Sequence, residues 1–257
     1  MLCVGDPKQL PASVTSQRAA KFGLDKSLLD RLMFGCGKDH VMLDIQYRMA
    51  PPISEFPSSM FYDGKLLNGG NVTNSAYKST DEPILNGDPY TFIQVNGQES
   101  RSGTGSFYNT DEARVVVRLV ERLRDASNSC NGESWASKDN LRIITFYSGQ
   151  VSAIKNLLRS KGLGRVMVAT VDSSQGCESN NVIVSFVRCQ GVSLNGLSMV
   201  GFLNDSRRIN VAITRAKYRL FCIGDATNTL SRSNSSTVTN LVENAAKRNL
   251  IMHDEIR

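Results

Sequence analysis

Residues 141–170 read LRIITFYSGQVSAIKNLLRSKGLGRVMVAT. LRIITFY (141–147) is a continuous apolar run of strand length, and SGQVSAIKNLLRSKG (148–162) carries its apolar residues at helical spacing. RVMVAT (165–170) returns to a strand pattern. A strand, a helix and a second strand joined in this way place the two strands parallel. Strands apolar at nearly every position are covered on both faces.

The same alternation extends outward. Upstream, PYTFIQVNG (89–97) predicts a strand and NTDEARVVVRLVERLRDA (109–126) a capped amphipathic helix. Downstream, NVIVSFVR (181–188) and YRLFCIGD (218–225) predict strands, and TVTNLVENAAKRN (237–249) a terminal helix. The fold class is α/β, a parallel sheet with helices on both faces and no internal repeat. Ser/Asn-rich patches at 127–137 and 227–237 read as exposed loops. The opening MLCVG reads as a strand, followed by a Gly-Asp-Pro turn; a chain that opens on its own core strand reads as truncated.

Bulk properties narrow the class of function. The chain has 257 residues, 40% of them apolar, and a formal net charge of +6, which suits a polyanionic partner. Six cysteines are scattered without a C-x-x-C pair or a nearby His cluster, the only histidines being His40 and His253, so a structural zinc site is not expected. Free thiols in a reducing, intracellular compartment are expected. No apolar run reaches the length of a membrane span.

NDSRRINVAITRAK (204–217) predicts a short helix capped by Asp205 or Ser206, with Ile209, Ala212, Ile213 and Ala216 on its buried face. Arg208 and Arg215 then project in nearly the same direction, beside that face.

Four blocks stand in order: GDPKQLPASV (5–14), QYRM (46–49), TVDSSQGCESNNVIVSFVR (170–188) and RRINVAITRAK (207–217). Together they resemble the later motifs of superfamily 1 helicases, in the group of the nonsense-mediated-decay helicase and senataxin. ITFYSGQ (144–150) resembles a further block of that group, with Phe146 and Ser148 where Pro and Glu are usual, and FPSSMFYDGKL (56–66) is also typical. The resemblance covers nearly the whole chain and implies a RecA-like fold of the P-loop NTPase superfamily.

It also implies roles. Gln9, Arg48 and Arg215 would act on the γ-phosphate of ATP, Arg215 as the arginine finger, while Arg208 braces its helix. Tyr47 would stack on the base, Glu178 bind the ribose, and Gly176 let the backbone approach the nucleotide. Thr145, Tyr147, Thr170, Ser173 and Gln175 would hold the backbone of single-stranded RNA or DNA. The group more often has Arg or Leu where Cys177 stands.

No G-x-x-x-x-G-K-[ST] loop and no acidic magnesium-binding block occur in the sequence. On this resemblance residues 1–40 are the tail of a first RecA-like domain and 41–257 a second one. The chain reads as the C-terminal motor half of an ATP-dependent RNA or DNA helicase, inactive alone. Its partners would be a single strand and a missing N-terminal RecA-like domain supplying the Mg2+ ligands. The location would be nucleus or cytoplasm, with no membrane. The alternative is a non-catalytic nucleic-acid-binding or interaction module derived from a helicase.

Overall fold

The computed structural model describes residues 2–12, 14, 16–78, 85, 87–128, 133–189 and 200–253. Two short helices, α1 (Gln17–Lys21) and α2 (Leu28–Asp30), precede β1 (Ile45–Gln46), α3 (Pro51–Phe61), β2 (Leu67–Asn68) and α4 (Gly70–Thr73). Then come β3 (Tyr90–Gln94), the hairpin β4 (Glu99–Arg101) and β5 (Phe107–Asn109), and the long helix α5 (Thr110–Asn128). β6 (Leu141–Thr145), α6 (Ser148–Ser160), β7 (Met167–Thr170) and β8 (Ser179–Ser185) follow. α7 (Ser206–Ile213), β9 (Ala216–Gly224), α8 (Ser236–Lys247) and β10 (Ile251–His253) complete the order.

Six of the strands form one parallel sheet in the order β10-β3-β9-β8-β6-β7. The expected α/β architecture is therefore observed. Each strand distributes its side chains by the two-residue period. Ile143, Ile183, Phe221 and Ile223 pack with Val116, Leu119, Leu123, Ile154 and Leu158 of α5 and α6. Ile144, Val182, Val184, Leu220 and Cys222 face the opposite layer, with residues of α3, α7 and α8. Having both faces covered is what made these strands read as unbroken apolar runs.

One strand and one loop expectation are corrected. Leu2 and Val4 form no strand and are 89% and 83% exposed; no described strand lies beside them to share hydrogen bonds. The 227–237 patch is not an exposed loop, because Thr229, Leu230, Ser233 and Ser235 are buried. The Asp225 carboxylate organises it, accepting from Asn228 N, Thr229 Oγ1 and Gln94 Nε2. Part of the 127–137 patch lies outside the described residues; within it, Ala136 is buried in a short helical turn. Cys3, Cys36, Cys177, Cys189 and Cys222 are free thiols, Cys36 exposed and Cys222 buried; Cys130 lies outside the described residues.

Candidate nucleotide site and nucleic-acid face

α7 starts at Asp205, whose carboxylate accepts from Arg207 N. It ends earlier than its periodicity suggests. The Thr214 hydroxyl donates to Asn210 O at 2.7 Å, and Ser179 N bonds Arg215 O, drawing the chain into the sheet. Ala216 is thus the first residue of β9, not the last of a helical stripe, and Arg215 sits in the turn between them. Arg208 remains near the start of the helix, bridging Asp205 and Asp172. Arg208 lies on the first turn of α7 and Arg215 beyond its last, so the two do not share one helical face as the periodicity suggests.

Arg215 is 2% exposed. Its guanidinium donates to Val211 O (3.0 Å), Thr214 Oγ1 (2.9 Å), Cys177 O (3.3 Å) and Gln9 Oε1 (3.5 Å). Among the described residues no carboxylate comes within ion-pair distance of it. Burial, then the neighbouring Arg48 charge, lower its pKa to about 10. A buried cation with another cation beside it and no counter-ion is costly in a folded chain. An incoming anion would relieve that cost.

Arg48 comes to the same place from a tight turn. The buried Gln46 side chain accepts from Arg48 N and Met49 N and donates to Met49 O, closing the QYRM segment on itself. Arg48 Nε pairs with Glu178 at 2.7 Å, and Nη1 donates to Thr214 O. Lys217 also pairs with Glu178 at 2.7 Å. The Lys217 and Arg48 hydrogen bonds hold the Glu178 carboxyl below its ordinary value. Lys217 was missed in the sequence, although it stands two residues after Arg215. Tyr47 is 61% exposed, with one face of its ring against Gly69. A Cβ on Gly69 would lie 2.4 Å from ring carbons of Tyr47, so glycine is what lets the ring rest on backbone and keep its other face open.

Gln9 donates to Asp6 Oδ2 at 2.9 Å. The same carboxylate oxygen accepts from the Tyr62 hydroxyl at 2.7 Å, and that hydroxyl accepts from Asn210 of α7 at 3.0 Å. Asn210 also donates to Lys8 O. Tyr62 thus ties the GDPKQ turn to the helix that precedes Arg215. Burial and the Asp6 hydrogen bond raise its pKa. A cavity of about 850 Å³ is bounded by Gln9, Arg48, Gly176 and Arg215 together with the N-terminal segment. Among the described residues no three His, Cys, Asp or Glu side chains gather as a metal site.

The loop from Thr170 to Glu178 joins two distant edges. Thr170 lies level with Thr145 and Ser185 at the carboxyl ends of the strands. Ser179 lies level with Ala216 at the other edge, six residues or about 20 Å back along β8. Thr170 and Ser173 place their hydroxyls 3.0 Å apart at the surface, and Gln175 donates to Leu10 O. Gly176 has φ +77°, with nothing within 4 Å of an added Cβ; backbone conformation, not crowding, requires glycine there.

Thr145 and Tyr147, expected to contact a strand, are 0% and 3% exposed. Thr145 ends strand β6, and among the described residues its hydroxyl has no hydrogen-bond partner. Tyr147 packs between Phe107 and Phe202 and donates to Val200 O. Both side chains are buried, Tyr147 beneath residues remote in sequence.

One buried acid was not anticipated. Glu112, in the first turn of α5, is fully buried and accepts from Ser185 Oγ (2.7 Å) and Val187 N (2.9 Å). Burial raises its pKa to about 8. Its only sequence signal is an acid on the same helical face as Val115, Val116 and Leu119.

Comparison with known proteins adds the following. Residues 24–227 match a family model described as an AAA domain. The chain is 39% identical over 235 residues to regulator of nonsense transcripts 1 of Caenorhabditis elegans, covering 88% of this chain and 21% of the relative. It is 36% identical to the ATP-dependent helicase NAM7 of Saccharomyces cerevisiae, covering 88% of this chain and 23% of the relative. Helicase sen1 of Schizosaccharomyces pombe is 32% identical, over 97% of this chain and 14% of the relative. The chain spans about a fifth of the length of the curated relatives it matches.

Proposed function

The chain belongs to the AAA-domain family that includes the regulators of nonsense transcripts and the sen1 helicases, and on that premise we propose that it is the C-terminal motor half of an ATP-dependent nucleic-acid helicase. One observation carries the reading. Arg48 and Arg215 converge with Gln9 on one cavity, and Arg215 is buried there without a carboxylate partner. Two guanidiniums in a partly dry cleft form a fork for a terminal phosphate. Tyr47, backed by Gly69, would offer its exposed ring to the base, and Glu178, paired with Arg48, would take the ribose.

Hydrolysis of ATP in this class is promoted by positioning and charge neutralisation. Arg215 would gain most when charge builds on the transferring phosphate, because among the described residues no carboxylate comes within ion-pair distance of it. Gln9, Arg48 and Arg215 would each touch that group. The relatives' additional length is assigned the magnesium ligands and the loop that cradles the β- and γ-phosphates. Thr170, Ser173 and Gln175 would meet the sugar-phosphate backbone of a single strand, contacts that do not read sequence. A nuclear or cytoplasmic location belongs to the same reading.

The test is binding and turnover together. The chain should bind ATP weakly, hydrolyse none, and gain strand-stimulated turnover once joined to an N-terminal domain bearing the phosphate loop. It should also bind single strands indifferently to sequence and lose affinity steeply with salt. Failure of ATP and of tripolyphosphate to raise the melting temperature at millimolar concentration would overturn the nucleotide reading.

A further inference from the structure

The consecutive carbonyls of Gln46, Tyr47 and Arg48 are taken in order by donors from one short segment. Gly69 N donates to Gln46 O at 2.8 Å, Asn71 Nδ2 to Tyr47 O at 2.9 Å, and the Tyr77 hydroxyl to Arg48 O. From within the turn, the Gln46 side chain takes the N–H groups of Arg48 and Met49. Both backbone polar groups of Arg48 are thereby held.

The local sequence brings Tyr77 to that place. β1 and β2 pair in parallel with Gln46 level with Asn68, so the residues after Asn68 start alongside those after Gln46. α4 is anchored by Val72, which is buried. Beyond it the Asn74 side chain accepts from Ala76 N, and Asn74 O accepts from Tyr77 N, a turn to which asparagine is suited. The Tyr77 ring then meets Tyr218 edge-on at 4.8 Å. Tyr218 directly follows Lys217, which pairs with Glu178, the partner of Arg48. Burial, then the neighbouring Tyr218 and Glu178, push the Tyr77 hydroxyl up to about 12, so it stays a donor across the ordinary pH range.

We propose that Tyr77 is a positioning residue for Arg48, fixing the backbone from which the guanidinium is aimed at an anion. The inference rests on the nucleotide reading above and adds to it a residue outside the motifs that carry that reading. Tyr77 acts through Arg48 and not by contact with phosphate. Without its hydroxyl, Arg48 O loses its donor, and the ordering of the arginine falls to the ligand, which binds more weakly for that reason. The loss is selective, since Tyr47 keeps both Asn71 and Gly69.

The experiment uses the whole 257-residue chain and two probes, tripolyphosphate and adenosine, titrated at fixed ionic strength. Tyr77→Phe keeps the ring against Tyr218 and removes only the hydroxyl. It should weaken tripolyphosphate binding roughly two- to tenfold, the worth of one hydrogen bond, and leave adenosine binding unchanged. In an Arg48→Ala background the same substitution should have no further effect on tripolyphosphate, because the residue it acts through is gone. A general loosening of the fold would instead weaken both probes and persist without Arg48. Unchanged tripolyphosphate affinity in Tyr77→Phe, an equal loss for both probes, or an undiminished effect in the Arg48→Ala background overturns the positioning role alone. If the parent binds neither probe, the nucleotide reading falls and this inference with it.

Discussion

Arg48 and Glu178, 130 residues apart in sequence, are joined by an ion pair of 2.7 Å. On the proposed reading each therefore occupies the group that a ligand would otherwise meet: a phosphate for the arginine, a ribose for the carboxylate. Lys217 completes the arrangement on the other carboxylate oxygen. The pair is half exposed, so it stabilises the chain little and can be exchanged for a ligand at small cost.

Replacing Glu178 separates the two functions. Glu178→Gln should bind tripolyphosphate about two- to fivefold more tightly, because a partly exposed pair of this kind is worth at most about 1 kcal/mol. The same variant should bind adenosine more weakly than the parent. Calorimetric titration with both probes checks this; a parallel change in both would show that the carboxylate does not distinguish ribose from phosphate.

Arg215→Ala, in the chain joined to a phosphate-loop domain, should cut ATP turnover by roughly three orders of magnitude, the scale of arginine fingers. Nucleotide affinity should change far less, since the contribution belongs to the transition state. Arg215→Lys should not restore the rate, lacking the planar fork. Arg208→Ala should lower the melting temperature more than it lowers turnover per folded molecule. Turnover of Arg215→Ala within about threefold of the parent, well under 1 kcal/mol of barrier, would remove Arg215 from the reaction.

Tyr62→Phe deletes the hydroxyl that links Asp6 to Asn210 and leaves the ring in place. It should cost about 1–2 kcal/mol, a buried hydrogen bond with partners left wanting, or a fall of roughly 2–8 °C for a chain of this size. Amide exchange should rise in residues 6–9 more than in the sheet. A melting curve identical to the parent's would mean that the GDPKQ turn is held elsewhere.

Glu112 sets a pH dependence. Its carboxyl is raised from 4.5 to about 8 by burial, so between those values the folded chain holds a proton that the unfolded chain has released. Its stabilising effect is complete below the lower value and is lost as pH rises through the upper one. Glu112→Gln should remove that dependence: parent and variant should diverge by several degrees in melting temperature between pH 5 and 8, the parent falling. Parallel melting curves across that range would place the carboxylate ionised in the folded state.

The sheet and its covering helices were legible because two-residue and helical periods are local properties of the chain. The end of α7 was not. Its apolar spacing runs on through Ala216, and only the back-bond of Thr214 to Asn210 and the pairing of Arg215 with Ser179 stop it. The convergence of Gln9, Arg48 and Arg215 followed from motif resemblance, while the pairing of Arg48 with Glu178 depends on tertiary proximity that no spacing encodes. Tyr147 read as a surface contact because a tyrosine in a loop motif carries no mark of what covers it. Here the covers are Phe107 and Phe202, one upstream and one downstream. The buried hydroxyls and the Asp225 carboxylate at 225–235 were similarly hidden in a polar, loop-like composition.

α7 has Arg208 near its start and Arg215 just past its end, seven residues or about 10 Å apart along the axis. Between them Ile209, Val211, Ala212 and Ile213 are at most 1% exposed, and a packed helix of this kind shifts as a rigid body instead of bending. On the proposed reading, a displacement imposed at the Arg208 end would be delivered to the Arg215 end with little slack. If occupancy at one end alters affinity at the other by some factor, the reverse effect has the same factor. The helix would then work in both directions, as a connecting rod whose stroke can be measured from either side.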